Sequence, residues 1–324
     1  MLDKYQYYKR LLAIYRNYRR RNVQVSSLPV RMWVELDARC NLQCIMCPNK
    51  ELEKSQKGFM EWDIFEKVIG ESSSFIHEMA LHHRGESLLH PQAVKFITHA
   101  ARHIPVTKLH TNGTLLTPDM IEGLLESGLS RISFSFDGFD RESYEKIRIG
   151  ANFDKVVSNI KNLLKKRSDR GQKKPAVAIE VIELEQSQLQ KDNKKNFIKE
   201  LRREGLDELI IKQPHNWAGH LPGKFNKKRY APCTFLWNAM LVLWNGDVVP
   251  CAQDFFALNV IGNIKEKSLQ EIWNDKPIQQ LRQALADKKP EEYPACRDCD
   301  RLWRSTIMGI PTEYLKKFLL KKMP

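Results

Sequence analysis

The residues best suited to chemistry in this chain are its cysteines, which fall into two groups. The first group is a C-x3-C-x2-C run, and the second is spread over the last third of the chain. An odd number of cysteines argues against a complete set of disulfides, and clustered cysteines in a reducing compartment are usually metal ligands. The two groups therefore predict two metal centres. The cysteines are Cys40, Cys44, Cys47, Cys233, Cys251, Cys296 and Cys299.

The first group has the spacing of an iron–sulfur ligand loop. Thiolates are the usual ligands of iron–sulfur clusters. Three of them on one short loop can ligate three irons of a 4Fe–4S cluster and leave the fourth iron open to a ligand with oxygen and nitrogen donors. A zinc site is the alternative. Closed zinc sites need four ligands, so His82 or His83 would have to complete that set.

Strands and helices alternate from Met32 onward, which predicts a parallel sheet. The six strands suit a partial, open (β/α)6 TIM-like barrel better than a closed barrel of eight. After residue 213 the pattern changes to a hairpin around Asn245-Gly246 and a helix at about 268–287. The predicted strands are Met32–Leu36, His77–Leu81, Pro105–His110, Arg131–Phe136, Ala176–Ile182 and Glu208–Lys212. The predicted helices lie near 61–69, 91–102, 117–127, 153–166 and 188–204.

Polar segments follow the ends of successive strands, where barrel enzymes place their active sites. After the second strand comes Arg84-Gly85-Glu86-Ser87, after the third Thr111-Asn112-Gly113, and in the fourth strand Ser135. Behind the cysteine run, this order resembles the radical SAM superfamily, whose members bind S-adenosylmethionine (SAM). Arg84 and Ser87 depart from the family's Gly-Gly-Glu-Pro segment, and Met46 replaces a residue that is often aromatic.

The resemblance implies SAM-binding roles for six residues. In the family, the second-strand segment binds the SAM amino group, the third-strand segment lies near the ribose, and a serine and a downstream arginine contact the carboxylate. The positions that match are Gly85, Glu86, Thr111, Asn112, Ser135 and Arg148.

The same resemblance implies the reaction. An external one-electron donor such as a flavodoxin or ferredoxin reduces the cluster held by the first cysteine group. SAM is then reductively cleaved to a 5′-deoxyadenosyl radical, which abstracts a hydrogen atom from the substrate.

The second cysteine group resembles the short, four-cysteine form of the SPASM/twitch extension. It implies an auxiliary 4Fe–4S cluster with every iron ligated, which would accept an electron during substrate oxidation or hold the small domain together. A structural zinc is the alternative. The predicted divisions are a basic amphipathic helix (1–31), the barrel (32–212), a linker (213–227), a small α+β cluster-binding extension (228–310) and a basic helix (311–324).

The sequence does not specify the substrate. Lys212 and His215 lie at the end of the sixth strand. They are candidate proton acceptors or ordinary polar residues of the bridge, the linker between the two domains. The first hypothesis is oxidation or epimerisation of a sugar, aminoglycoside or cyclitol, and the second is modification of a peptide or protein side chain. The third is a non-catalytic, zinc-containing nucleic-acid-binding protein. Nothing resembles a zinc finger or an RNA-stacking sheet, so we expect no nucleic-acid partner.

The composition is that of a globular protein, with 324 residues, 42% of them hydrophobic, and a net charge of +14. No apolar run approaches the roughly 20 residues of a membrane span, and no apolar signal segment is present, so we expect a cytoplasmic protein. Basic amphipathic ends suggest peripheral contact with an anionic membrane. The basic residues at the ends are Arg16, Arg19, Arg20, Arg21, Lys316, Lys317, Lys321 and Lys322.

Overall fold

A single large sheet organises the computed structural model, which describes residues 4–183, 191–212, 214, 216–221, 229–308 and 310–312. The strands are β1 (Arg31–Val34), β2 (Glu78–Ala80), β3 (Val106–Thr111), β4 (Arg131–Ser135), β5 (Ala176–Ile182), β6 (Glu208–Lys212), β7 (Ala239–Val242), β8 (Asp247–Val249), β9 (Gly262–Asn263), β10 (Thr306–Ile307) and β11 (Ile310–Pro311). The helices are α1 (Lys4–Arg20), α2 (Trp62–Ser72), α3 (Ala93–His103), α4 (Pro118–Glu126), α5 (Arg141–Ile147), α6 (Phe153–Asp169), α7 (Lys191–Arg203), α8 (Phe235–Asn238), α9 (Leu269–Trp273), α10 (Lys276–Ala286) and α11 (Pro294–Arg297).

The strand order is β6-β5-β4-β3-β2-β1-β7-β8-β9, and strands β1 to β6 are all parallel. This confirms the predicted α/β fold with a partial, TIM-like barrel. The hairpin of the C-terminal extension continues the same sheet, because β7 pairs in parallel with β1 and then turns back into β8. Gly246 makes that turn with a φ of +93°, a conformation that favours glycine.

The two faces of the sheet differ in chemistry because side chains alternate along a strand. One face packs under the helices and carries fully buried apolar residues from five strands, among them Met32, Met79, Leu109, Ile132 and Ile179. The other face, which forms the inner wall of the partial barrel, carries ion pairs. Nearest the amino ends of the strands, Glu78 on β2 pairs with Arg31 at 2.8 Å and with Lys108 at 2.6 Å.

One predicted helix differs from the structure, one observed helix was not predicted, and one predicted helix cannot be compared. The helix predicted over 268–287 is two helices, because α9 ends at Trp273 and Asp275 caps a new start whose second residue is Pro277. The short helix α5 was not predicted. The basic helix predicted at 311–324 falls almost wholly outside the described residues. Within the described ranges, no helix has both the length and the hydrophobicity that crossing a membrane requires.

A buried arginine joins the segment after α1 to the C-terminal extension. Arg282 on α10 is fully buried and donates hydrogen bonds to the carbonyl oxygens of Leu236, Val23 and Trp273, each at 2.9 Å. Its guanidinium also lies over the Trp273 ring, 4.6 Å from the centroid. The chain before the barrel and the chain after it are therefore held together around one cation.

Candidate functional site

The first cysteine group lies on a loop that follows β1 and is fastened to the end of α5. The amide of Gln43 donates to the carbonyl of Ile149 at 2.9 Å, and the amide of Ile45 donates to the carbonyl of Ile147 at 3.0 Å. All three cysteines are free thiols. The three thiols therefore lie on one loop whose central residues are held to the end of α5.

The environment of these thiols disfavours bare thiolates. Burial raises the pKa of Cys40 to about 12, and it also raises the pKa values of Cys44 and Cys47. In the described part of the chain, no group of three or more His, Cys, Asp or Glu residues is arranged to hold a metal ion as it stands. A bound metal cluster supplies positive charge that keeps coordinating thiols deprotonated. Three free thiols on one loop, one buried and two half-buried, fit the ligand set of a cluster with one open iron.

Gly85 lies directly against the backbone that leads into this loop. A Cβ atom at residue 85 would fall 2.3 Å from the carbonyl oxygen of Arg39, 2.4 Å from that of Asp37 and 2.5 Å from the carbonyl carbon of Ala38. Backbone atoms cannot yield cheaply, so only glycine fits. The amide of Glu86 completes the contact by donating to the Arg39 carbonyl at 2.8 Å. The second-strand segment and the cysteine loop are thus packed as one unit.

The Glu86 carboxylate joins the second-strand segment to the end of β3. It accepts hydrogen bonds from the Thr111 hydroxyl at 2.8 Å, the Asn112 amide at 2.7 Å and the Leu88 amide at 3.1 Å. Burial raises the pKa of Glu86, although these three donors oppose that effect. In the structure, Glu86 orders two of the predicted SAM-binding segments.

The cysteine loop, the segment at 85–86 and the end of β3 form a hydrogen-bonded frame. Asn41, inside the cysteine run, extends this frame to the loop after β3. Its side-chain amide donates to the Thr114 hydroxyl at 2.8 Å, and its oxygen accepts from the Asn112 side chain at 2.9 Å. Asn112 in turn accepts from the Thr114 amide at 2.9 Å. The predicted segments at 85–86 and 111–112 therefore meet the cysteine loop.

Arg148 lies beside the cysteine loop, next to Cys44. Its guanidinium pairs with the fully buried Asp137 and lies 3.7 Å from the sulfur of Cys44. Asp137 also accepts from the Ile182 amide at 2.7 Å. Burial would lower the pKa of Arg148, but the nearby negative groups raise it. Ser135, the remaining predicted SAM contact, lies at the end of β4 with its hydroxyl against His110.

Arg84, which departs from the family's Gly-Gly-Glu-Pro segment, has an ion-pair partner that the sequence did not reveal. Arg84 forms a two-pronged ion pair with Glu35, just beyond β1, with both N–O distances 2.7 Å and both side chains buried. Burial alone would raise the pKa of Glu35, but hydrogen bonds from Arg84 and the nearby His83 side chain hold it at about 2. The arginine side chain thus turns away from the Glu86 frame and into the barrel wall.

The second group of cysteines is brought together by the extension of the sheet. Cys233 precedes α8, Cys251 follows β8, and the other two lie on and just after α11. Burial raises the pKa of Cys296, and the neighbouring thiols of Cys299 and Cys233 raise it further. Burial likewise raises the pKa of Cys299 to about 12. Residues that are far apart in sequence therefore share one buried, thiol-rich site.

The bridge after β6 packs on this second site. Asn216 donates its side-chain amide to the Asp298 carbonyl at 2.7 Å and accepts from the Asp300 amide at 3.3 Å. Gly219 has a φ of +93°, and a Cβ there would lie 2.5 Å from the Cβ of Asp298. The extension also contacts the barrel wall, because the His83 ring nitrogen lies 3.0 Å from the Ala252 carbonyl.

The structure describes only one of the two candidate proton acceptors. Lys212, at the end of β6, pairs its ammonium with Glu180 on β5. His215 lies outside the described residues. Sequence reasoning missed Glu35, Asp137, His110 and Glu180. The only available signal was the presence of charged residues within or directly after otherwise apolar strands.

The fold and the site together define the class of protein to which this chain belongs. The radical SAM superfamily matches residues 34–174, and SPASM, an iron–sulfur cluster-binding domain, matches residues 233–300. The chain is a radical SAM enzyme with a SPASM domain after its barrel. A radical SAM domain uses SAM and a 4Fe–4S cluster, and a SPASM domain binds further iron–sulfur clusters.

Several known proteins are similar over most of their length. The tungsten-containing aldehyde ferredoxin oxidoreductase cofactor-modifying protein of Pyrococcus furiosus is 25% identical over 83% of this chain and 86% of its own. The SAM-dependent 2-deoxy-scyllo-inosamine dehydrogenase of Niallia circulans is 21% identical over 83% and 92%. The structure of Streptococcus suis SuiB bound to the precursor peptide SuiA has a TM-score of 0.68, with 14% identity over 93% and 77%.

Proposed function

We propose that this radical SAM enzyme dehydrogenates a small polyhydroxylated substrate of the sugar, aminoglycoside or cyclitol class. When bound, SAM and its cluster supply the 5′-deoxyadenosyl radical, the hydrogen-atom acceptor. A flavodoxin or ferredoxin is the proposed reductant. The chain's own residues bind, orient and deprotonate the substrate.

The proposed cofactor site is the frame around the first cysteine group. Cys40, Cys44 and Cys47 would hold three irons of one 4Fe–4S cluster, and Arg148 would balance negative charge beside it. The segments at Gly85-Glu86 and Thr111-Asn112, with Ser135, would hold SAM. The observation that supports this assignment is the hydrogen-bonded contact among the cysteine loop, Glu86 and Asn112.

The inner wall of the barrel favours a polar substrate. Three carboxylates on this wall are each paired with a cation: Glu35 with Arg84, Glu78 with Lys108, and Glu180 with Lys212. Of these pairs, Glu180 and Lys212 lie at the carboxyl ends of the strands, where the half-exposed Lys212 ammonium could also hydrogen-bond a substrate hydroxyl, whereas an apolar substrate would desolvate this pair without compensation. The dehydrogenase of Niallia circulans, whose name specifies 2-deoxy-scyllo-inosamine, supports the same class.

The second cysteine group favours oxidation over epimerisation. We propose that Cys233, Cys251, Cys296 and Cys299 ligate every iron of a second 4Fe–4S cluster, which leaves no iron open to bind substrate. Such a cluster is suited to accept an electron. Dehydrogenation requires an electron acceptor, whereas epimerisation returns a hydrogen atom to the same carbon and needs none.

The test uses the reconstituted enzyme with SAM, dithionite and 2-deoxy-scyllo-inosamine as probe. We expect one ketone per 5′-deoxyadenosine released. In Cys296→Ala, 5′-deoxyadenosine should still form, but ketone formation should fall, because the substrate radical would have lost its electron acceptor. Normal ketone formation by a Cys296→Ala protein that keeps its first cluster would rule out the electron-acceptor role.

Modification of a peptide or protein side chain is the second candidate. The structural similarity to SuiB, which was solved with its precursor peptide bound, favours including it. An alkyl side chain lacks the hydroxyl and amino groups that could hydrogen-bond the half-exposed Lys212 ammonium at the strand ends. Modification of an added peptide, with no conversion of cyclitols or sugars, would favour this alternative.

A further inference from the structure

Four polar side chains contact one another across the carboxyl ends of four neighbouring strands. The Ser135 hydroxyl on β4 contacts Nε2 of His110 on β3. On the opposite side of the imidazole, Nδ1 lies 3.7 Å from a carboxylate oxygen of Glu180 on β5. Lys212 on β6 donates from its ammonium to the other oxygen of Glu180. The register supports the cluster, because Ser135 and Glu180 are direct partners.

The charges around His110 select one tautomer. The Glu180 carboxylate on the Nδ1 side favours the proton there, so the lone pair is on Nε2, facing the Ser135 hydroxyl. Burial lowers the pKa of His110 below its usual range, although Glu180 raises it. The imidazole is therefore neutral near pH 7 and able to accept a proton. The titratable and charged groups that face it are His82, Glu180, Lys212, Arg148 and Asp137.

His82 adds an unsatisfied polar atom beside this cluster. Its ring centroid lies 5.4 Å from that of His110, and its Nδ1 is buried with no hydrogen-bond partner among the described residues. Buried polar atoms are normally hydrogen-bonded, so this nitrogen is available to pair with a bound ligand or an ordered water beside the cluster. The cluster is reachable, because a quarter of the His110 side chain and half of the Lys212 side chain are exposed.

We propose that His110 is the proton acceptor for a secondary alcohol of the substrate, with Glu180 and Lys212 as positioning residues. This inference rests on the proposed function and assigns the proton step within it. The Ser135 hydroxyl shows that a hydroxyl group can approach Nε2; with SAM bound, Ser135 would turn to SAM and the substrate hydroxyl would take its place on Nε2. Lys212, whose ammonium is engaged by Glu180, takes a positioning role instead of the acceptor role that the sequence suggested.

The step balances as a two-electron oxidation of an alcohol to a ketone. The carbinol C–H bond breaks as its hydrogen atom passes to the SAM-derived radical. The O–H bond breaks as its proton passes to Nε2 of His110, where an N–H bond forms. One further electron leaves the substrate for an iron–sulfur acceptor, and the C=O double bond is complete. The imidazolium is stabilised by Glu180 until solvent removes the proton.

The first test measures the titration of His110 without using turnover. Diethyl pyrocarbonate modifies neutral imidazole, so site-resolved mass spectrometry across pH 5–8 reports its midpoint in the reconstituted, oxidised enzyme with SAM. We expect a midpoint below 6.5, lowered by roughly one unit in Glu180→Gln and raised in Lys212→Gln. His103, an exposed histidine at the end of α3, is the reference, and its extent of modification should be the same in all three proteins. A His110 midpoint that is the same in all three proteins would overturn the proposal.

The second test measures coupling of radical formation to product. In His110→Gln we expect SAM still to bind and 5′-deoxyadenosine release to continue, with ketone from 2-deoxy-scyllo-inosamine lowered about 100-fold or more. Glu180→Gln should lower kcat and move the pH profile, and Glu180→Asp should restore part of the activity. His103→Gln is the matched control. A His110→Gln protein with normal ketone yield would refute the acceptor role. If wild type releases no 5′-deoxyadenosine, the proposed function fails and this inference fails with it; if wild type forms the ketone and His110→Gln forms it equally well, only the acceptor role fails.

Discussion

Substituting Gly85 by alanine tests whether close packing of the second-strand segment positions the cysteine loop. The added Cβ would lie 2.3–2.5 Å from three backbone atoms of residues 37–39, immediately before Cys40. Ordinary van der Waals contact at such a position is 3.4–4 Å, so the two segments must separate by about 1 Å. That separation also lengthens the hydrogen bond from the Glu86 amide to the Arg39 carbonyl, now 2.8 Å.

The expected cost follows from the rigidity of the clashing atoms. Overpacking a well-packed site commonly costs about 1–3 kcal/mol, and a clash with backbone belongs at the upper end. At roughly 2–4 °C per kcal/mol for a domain of this size, the melting temperature should fall by roughly 6–12 °C. The displaced loop should also bind its cluster poorly.

The assay compares Gly85→Ala with Gly70→Ala. A Cβ at Gly70, in α2, meets nothing within 4 Å, so that variant should be neutral or stabilised by up to about 1 kcal/mol. We expect Gly85→Ala to lose the SAM-sensitive part of the electron paramagnetic resonance signal, as Cys40→Ser should, while it keeps the remainder. Wild-type stability and SAM-dependent signal in Gly85→Ala would refute the packing argument.

Three further predictions concern residues outside the cofactor frame. Arg84→Leu leaves the Glu35 carboxylate buried without its partner, so the free energy of unfolding measured with denaturant should fall by about 3–5 kcal/mol and recover in part in Arg84→Leu/Glu35→Leu. A fall below about 1 kcal/mol would contradict this prediction. Arg282→Leu leaves three buried carbonyls without a donor and should cost about 3 kcal/mol or more and speed tryptic cleavage near Arg21; unchanged cleavage would argue against the link. Leu12→Glu, on the exposed apolar side of α1, should weaken sedimentation with anionic vesicles; equal sedimentation would discard membrane contact.

The sequence predicted the strand ends well because period-two burial and short apolar runs mark parallel strands. All six predicted strands of the barrel are present, and β5 and β6 have the predicted bounds. Since parallel strands bring their carboxyl ends to one edge, the order of the cysteine run, Glu86 and Asn112 was enough to predict that they meet. Local sequence therefore located the frame of the site.

The residues that the sequence missed depend on long-range geometry. The Glu35–Arg84 pair joins residues 49 positions apart, and nothing in either segment alone indicates the other. The contacts among His110, Ser135 and Glu180 depend on register across β3, β4 and β5. The pairing of β7 with β1 could not be read either, because the hairpin signal fixes its turn and not the strand it joins.

The most direct test of the central claim examines the iron that the first cysteine group leaves open. Protein reconstituted anaerobically with iron and sulfide should, when reduced with dithionite, show a 4Fe–4S resonance that SAM alters and should release 5′-deoxyadenosine. In Cys40→Ser/Cys44→Ser/Cys47→Ser both responses should vanish while the second centre's signal persists. Tetrahedral zinc at this loop, or a reduced cluster whose spectrum SAM leaves unchanged, would contradict the account.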